Sequence, residues 1–410
     1  MRDPPLPQSA CAATHAAAHS LSSGCPPGLM TEDLPSPALL PSGLTDLLPP
    51  EAAREAALVE AMHAVFAAHG YERVKPPLLE FEDSLLAGSG AAVADQTFRL
   101  MDPDSHRMMG LRADTTPQVA RIAATRLGGV ARPLRLSYSG QVLRVRGNQL
   151  APQRQIPQVG IELIGTDCAE ADAEIALVSV EALAAAGIAA PSLDITLPTM
   201  APALLDAAGV QGDLRHKLAR ALDRKDAAAV HALAAQAGPP ANGLTALLTA
   251  AGPADGALAA LAAASLPPAA RAIADNAAAI VAAIRARAPG LRITLDPVEF
   301  RGLQYHVGVA FTLYGPGNTG ELARGGRYMS GGETATGMTL YPDTVARAVA
   351  PAPLPDRVFI PRGADAVAAA ELRTQGFITV AALSDTDTPQ SLRCSHTLRG
   401  RAAAPIEENA

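Results

Sequence analysis

Residues 155–164 read Gln155-Ile156-Pro157-Gln158-Val159-Gly160-Ile161-Glu162-Leu163-Ile164. Apolar Val159, Ile161 and Leu163 alternate with Gln158, Gly160 and Glu162, the period-2 pattern of a strand with two unlike faces. Along such a strand Gln158 and Glu162 stand about 13 Å apart, four residues at about 3.3 Å each. Gly160 between them leaves the sheet surface bare, so a ligand can lie against backbone. An amide and a carboxylate flanking such a floor suit an α-ammonium group or an imidazole. On spacing alone, the simpler reading is a solvated strand face.

Outward from this stretch, residues 134–145 alternate in the same way. Leu134, Leu136, Tyr138 and Val142 share one face, and Arg135, Ser137 and Ser139 the other. Residues 140–158 carry Arg144, Arg146 and Arg154, residues able to grip carboxylate or phosphate by paired hydrogen bonds but equally at home in a charged hairpin loop. Leu111-Arg112-Ala113-Asp114-Thr115-Thr116 places an Arg and an Asp at the start of a helix running to about Leu127, with Asp114 or Thr115 as N-cap and Pro117 in its first turn. Taken alone, that segment fits a cap beside a surface Arg.

Upstream, a helix is predicted from Glu51 to His69, closed by Gly70, with Leu58, Met62, Val65 and Phe66 in one stripe. Tyr71 to Val74 follow as an edge strand or an extended turn. Downstream, residues 172–186 are helical. Residues 200–287 form an Ala-rich helical block broken at Gly238-Pro239-Pro240 and Pro267-Pro268. Strands return at 292–295 and 305–313. Residues 346–357 read as a linker, 358–395 as a small α/β unit and 396–410 as a disordered tail. Residues 1–38, rich in Ala, Pro, Ser and Gly, are read as a disordered leader, or as sequence upstream of a true start at Met30. They lack the cationic start and apolar run of a secretory signal.

Composition narrows the function. The chain has 410 residues, a formal charge of −7, 3% aromatics and no Trp, which argues against a broad nucleic-acid footprint. No apolar run long enough for a membrane span occurs. Cys11, Cys25, Cys168 and Cys394 are scattered without metal or redox spacing, which favours a reducing cytoplasm and no bound metal. No cofactor is expected.

Ordered along the chain, these segments resemble histidyl-tRNA synthetase over residues 39–345, the core of a class II aminoacyl-tRNA synthetase. Residues 43–49 look like its G-x-x-D-x-L-P opening, and residues 65–71 like its first motif, usually a dimer contact. Residues 111–116 match L-R-P-E-G-T with Asp114 at the Glu, and residues 140–158 match the second motif. Residues 300–306 resemble R-G-L-D-Y-Y, and Gly325-Gly326-Arg327-Tyr328 matches G-G-R-Y. The resemblance implies an α+β fold with a mainly antiparallel sheet flanked by helices, the helical block at about 200–287 inserted, and a small C-terminal α/β unit. It also implies histidine-binding positions at Asp114, Thr115, Thr116, Arg144, Gln158, Glu162, Arg301, Tyr305 and His306. Asp114, Gln158 and Glu162 would take the cationic and imidazole ends, and Arg144 or Arg301 the carboxylate.

The departures fall on the ATP side. Arg146 replaces the Glu that receives adenine in the family, and Thr344 stands where the ATP-binding Arg of G-x-E-R is expected, with Pro342 expected to disturb its setting. Gln304 and His306 replace the Asp and second Tyr of R-G-L-D-Y-Y, and residues 358–410 are short for an anticodon-binding domain. Losing one donor to a phosphoryl transition state costs about 10²–10³ in rate, so adenylation is not expected. Kept histidine positions with lost ATP positions resemble the family of ATP phosphoribosyltransferase regulatory subunits. That resemblance implies no catalytic residue in this chain, a short-form ATP phosphoribosyltransferase catalytic subunit as partner, L-histidine as feedback effector and self-association as a dimer. It implies neither nucleic acid nor membrane as partner, and places the assembly in the cytoplasm. The alternatives are a divergent, active histidyl-tRNA synthetase and a histidine-binding module of another regulatory system.

Overall fold

The computed structural model describes residues 39–147, 152–299, 305–317, 320–351 and 353–406. The expected leader, 1–38, lies outside them. Residues 43–410 form one compact unit, and the description below concerns that unit.

Helix α1 (Glu51–Ala68) buries Leu58, Met62 and Phe66, so the predicted stripe faces the core, and it ends before Gly70. Strand β1 (Glu72–Arg73) follows, then a small three-stranded sheet of β2 (Leu79–Phe81), β3 (Arg99–Met101) and β4 (Met108–Leu111), with the short helix α2 (Glu82–Leu85) between β2 and β3. Next come α3 (Thr116–Thr125), with Pro117 in its first turn, the long strands β5 (Leu134–Leu143) and β6 (Gln155–Ile164), α4 (Ala169–Ala185) and β7 (Ser192–Thr196).

The Ala-rich block is helical as its composition predicts. It comprises α5 (Met200–Ala207), α6 (Gly212–Asp223), α7 (Ala227–Ala237), α8 (Pro239–Thr249), α9 (Ala254–Ala263) and α10 (Pro268–Arg287). The breaks fall at the proline pairs, where proline starts the next helix. A two-residue strand, β8 (Gly252–Pro253), interrupts it and pairs with β9 (Arg292–Asp296). Leu204, Leu244, Leu261 and Ile280 of the block share one continuous apolar core with Met62, Ile161, Ile175 and Met338.

Three further long strands, β10 (His306–Tyr314), β11 (Glu321–Ser330) and β12 (Glu333–Leu340), complete a nine-stranded sheet in the order β1-β5-β6-β12-β11-β10-β7-β9-β8. Its centre is antiparallel, while β1–β5 and β7–β9 run parallel. Helix α11 (Pro342–Ala348) follows β12. Val159, Ile161 and Leu163 face the core shared with α1 and α4. The opposite face carries a second cluster in which Val119, Ala120 and Ala123 of α3 pack on Leu134, Leu136, Tyr138 and Tyr328. The functional side chains sit between α3 and that face.

After the stretch read as a linker, β13 (Arg357–Ile360), α12 (Ala366–Thr374) and β14 (Ile378–Ala381) form the expected α/β unit around Val358, Ile360, Leu372 and Leu398. The expectation of a disordered tail over 396–410 is corrected for 396–406, and 407–410 lie outside the described residues. Residues 396–405 form a hairpin of β15 (His396–Arg399) and β16 (Ala402–Pro405), giving a four-stranded sheet in the order β14-β13-β15-β16. Gly400 takes the left-handed conformation (φ +60°) that the tight turn needs. Backbone pairing, rather than side-chain patterning, holds the Ala-rich β16, so its alternation is faint. Among the described residues, no helix is long and apolar enough to cross a membrane.

Candidate functional site

The start of α3 is laid against β6. Register places Gly140 opposite Gln158, Tyr138 opposite Gly160 and Leu136 opposite Glu162, with Gly337 and Thr339 of β12 on the other side. The expected solvated face is therefore corrected: Gln158 is 3% exposed and Glu162 1%. Helix α3 covers them, and a second amphipathic layer is invisible to the alternation of one strand.

Buried Gln158, Glu162 and Tyr138 each have partners, as burial requires. Gln158 Oε1 accepts from the Thr115 backbone N–H at 3.0 Å and the Thr115 hydroxyl at 2.8 Å, and its Nε2 donates to Asp114 Oδ1 at 3.2 Å. Glu162 accepts from the Thr116 hydroxyl at 3.0 Å and the Tyr328 hydroxyl at 2.9 Å. Tyr138 lies 3.2 Å from Thr116 Oγ1 and 2.7 Å from Thr339 Oγ1. A hydroxyl has one proton, and that of Thr116 is committed to Glu162. With Glu162 ionised, the hydrogens run from Thr339 to Tyr138 to Thr116 to Glu162.

Burial pushes the Glu162 carboxyl up to about 8, against the opposing pull of the Tyr328 and Thr116 hydroxyls. Burial likewise holds the Tyr138, Tyr328 and Tyr305 hydroxyls protonated, as donors. The site thus presents a neutral carboxyl that a nearby cation would ionise.

The glycine floor is also corrected. A Cβ on Gly160 would lie 2.4 Å from the Tyr138 hydroxyl, so the tyrosine ring fills the space that the missing side chain leaves. At Gly337 a Cβ would lie 1.8 Å from Glu162 Oε2. Glycine there is what lets the carboxyl reach the pocket. The lining residues include Thr116, Glu162, Tyr305, His306, Arg324 and Tyr328. Tyr305 stacks on His306, with ring centroids 4.2 Å apart, and meets Tyr328 edge-on.

The structure thus brings Asp114, Thr115, Thr116, Gln158, Glu162, Tyr305 and His306 together. Arg144 lies beside them, its Nε donating to the Ala113 carbonyl at 3.4 Å. Arg301 lies outside the described residues. Sequence reasoning left Tyr138, Tyr328, Thr339 and Arg324 out of the site. Tyr138 alternates with the apolar face of its strand, although a buried tyrosine hydroxyl needs a partner. Period 2 from Tyr328 puts Arg324 on the pocket side of β11. Burial pushes the Tyr341 hydroxyl up to about 12, and the charges of Arg144 and Arg324 pull it back, so both cations act on this corner of the pocket.

Arg112, read alone as a surface residue, is 6% exposed. It donates to the carbonyls of Gln141 and Pro76 and to Gln118 Oε1, and the bare Cα of Gly140 makes room for it. Its charge is spent on holding β5 to α3. On the expected ATP side, Arg146 is exposed, and Thr344 accepts from Arg347 at 3.0 Å. Pro342 does not disturb its surroundings. It is buried at the first position of α11, where proline fits.

The G-G-R-Y segment divides between the two faces of the sheet. Tyr328 points to Glu162, and Arg327 points the other way, to the wholly buried Asp172 on the first turn of α4, at 2.6 and 3.2 Å. Thr336 adds a third hydrogen bond to that carboxylate at 2.6 Å.

Residues 43–345 match the histidyl-tRNA synthetase family. The chain is 54% identical to the ATP phosphoribosyltransferase regulatory subunit of Paramagnetospirillum magneticum, covering 86% of this chain and 93% of that one. It is 50% identical to that of Rhodospirillum centenum, covering 92% and 100%. Among solved structures, an ATP phosphoribosyltransferase regulatory subunit/histidyl-tRNA synthetase from Bacillus halodurans superposes with a TM-score of 0.74 at 23% identity, covering 88% of this chain and 96% of that one. A histidyl-tRNA synthetase from a Nostoc species gives 0.71 at 18%, covering 87% and 88%. The two superpositions establish the class II synthetase-like fold, and the two close relatives the lineage within it: this chain belongs to the family of ATP phosphoribosyltransferase regulatory subunits.

Proposed function

We propose that this chain is a non-catalytic regulatory subunit acting in L-histidine biosynthesis. It pairs with a short-form ATP phosphoribosyltransferase catalytic subunit, a glycosyltransferase, and conveys feedback by histidine to it. Self-association as a dimer through the synthetase-like core belongs to the same proposal. The observation that carries it is identity of 50–54% over most of the chain to subunits of that name. The pocket supports the sensing part of the reading. Buried Glu162 and Gln158 and half-buried Asp114 offer a cationic ligand acceptors, while an exposed Arg146 and a Thr344 tied to Arg347 occupy the expected ATP positions.

In this reading the α-ammonium or imidazole of histidine meets Asp114, Gln158 and Glu162, and its carboxylate meets Arg144, Arg324 or Arg301. Feedback requires only that histidine favour one state of the complex by about 1–3 kcal/mol, enough for 5- to 150-fold regulation. The test is phosphoribosyl-ATP formation by the catalytic subunit, with and without this chain and with and without histidine. Activation reversed by histidine is expected. No change in rate, with no co-elution of the two proteins, would overturn the reading.

A further inference from the structure

The pocket beside Glu162 is nearly filled by the chain's own side chains. It measures about 10 Å³, room for about one water molecule and far too little for an amino acid. A ligand of the kind proposed above therefore enters only if part of the lining moves.

Two glycines make the floor. Gly326 of β11 and Gly337 of β12 are paired across the antiparallel ladder, so their Cα atoms stand about 5 Å apart. A Cβ on Gly337 would lie 1.8 Å from Glu162 Oε2, and a Cβ on Gly326 would lie 2.6 Å from His306 Cδ2. Each glycine thus leaves a slot. One slot holds the Glu162 carboxyl, and the slot beside it holds an imidazole that belongs to the protein. His306 is 5% exposed, and the Tyr305 ring stacks on it with the two planes 30° apart. Gly326 has a φ of +148°, a conformation that favours glycine, so the second slot is built into the backbone.

The walls differ in how firmly they are held. Thr116 and Tyr328 donate to Glu162, and Thr339 is bonded to Tyr138, so moving any of them breaks the buried network. His306 is the first residue of β10, and the pairing of β10 with β11 slips in register between His306 and Ala310. Interrupted pairing at a strand end is where backbone yields most readily. A buried histidine is commonly no more than packing. Here its ring lies beside the Glu162 carboxyl, in the pocket where the ligand's own imidazole is expected, and at the position where the synthetase motif has its second tyrosine.

We propose that His306 is a built-in competitor: its imidazole fills the place of the ligand's imidazole, and histidine binds by displacing it. This deepens the sensing part of the reading given under Proposed function and rests on it. Affinity is then lowered by the fraction of molecules whose slot is filled.

The experiment titrates histidine by calorimetry into the full chain and into His306→Ala and His306→Phe. His306→Ala is expected to bind histidine roughly tenfold more tightly, the factor gained when a pocket open about a tenth of the time becomes open throughout. His306→Phe keeps a ring in the slot and should bind no more tightly than the parent. Equal or weaker binding by His306→Ala, with the parent's circular dichroism, overturns the proposal, as does equal tightening by His306→Phe. A second measurement needs no substitution: hydrogen–deuterium exchange at the ring C2 of His306, read by mass spectrometry. Saturating histidine should speed that exchange severalfold, because the ring leaves its buried slot, and unchanged or slower exchange overturns the proposal. If neither the parent nor His306→Ala binds histidine, the sensing reading itself falls, and this proposal with it.

Discussion

Tyr328 and Glu162 meet at 2.9 Å across two strands, with the tyrosine hydroxyl donating to a carboxyl that is 1% exposed. The contact exists because Gly337, on the strand between them, has no side chain to block it. It fixes which way the Glu162 carboxyl faces.

Replacing Glu162 by Gln keeps the shape and an acceptor for Tyr328 while removing the charge that a cationic ligand would meet. Charge-assisted hydrogen bonds contribute about 1.5–3 kcal/mol, so histidine affinity should fall roughly ten- to a hundredfold. Calorimetric titration of histidine into both proteins measures this. Equal affinities would remove Glu162 from the site.

The same acid gives a signed pH dependence. Its carboxyl titrates near 8 in the folded chain against the ordinary 4.5. Between these values the folded state keeps a proton that the unfolded state has lost, so stability falls as pH rises. Glu162 contributes fully below about pH 4.5, and its contribution is lost by about pH 8. Glu162→Gln has no such titration and should gain on the parent across that window, by a few kcal/mol in order of magnitude. Paired urea melts at pH 5 and pH 8 give the difference, and a constant gap would contradict it.

Asp172 and Arg327 are a buried pair, and Arg135 and Glu174 a half-buried one on the same helix. Removing one member of a buried pair strands its partner and costs about 3–5 kcal/mol, whereas exposed pairs contribute about 0–1. Asp172→Ala should therefore destabilise far more than Arg135→Ala in denaturant unfolding. Comparable losses would mean that α4 is not pinned through Arg327.

Gly337→Ala introduces a Cβ that would lie 1.8 Å from Glu162 Oε2. Either the carboxyl swings away or β12 shifts, and overpacking of this kind costs about 1–3 kcal/mol. Loss of histidine binding with the fold retained by circular dichroism is the expected result.

Much of this was legible beforehand because it is periodic. The alternation of residues 155–164 gave strand β6 and its two faces, and the proline pairs marked the helical breaks of 200–287. What was not legible depended on contacts between elements distant in sequence. The burial of Gln158 and Glu162 follows from α3 lying over them. The role of Tyr138 follows from its partner Thr339, two hundred and one residues away. The hairpin of 396–405 is held by backbone pairing and a glycine turn, while its alanines read as tail. The opposite destinations of Arg327 and Tyr328 were implicit in strand period, but the acids they reach come from β6 and α4.

Ligand binding should release a proton. With Glu162 titrating near 8, the empty pocket at pH 7 holds it mostly neutral. An ammonium or imidazolium group placed against it favours the carboxylate, lowering its pKa and expelling the proton. Calorimetric histidine titrations at pH 7 in phosphate and in Tris, whose ionisation enthalpies differ widely, should then give different apparent enthalpies. The slope corresponds to release of up to one proton per site. The effect should vanish in Glu162→Gln and fade above about pH 9, where the acid is already ionised. Identical enthalpies in both buffers at pH 7 would mean that histidine binds without ionising Glu162, and the pocket would then recognise it through Gln158 and Asp114 alone.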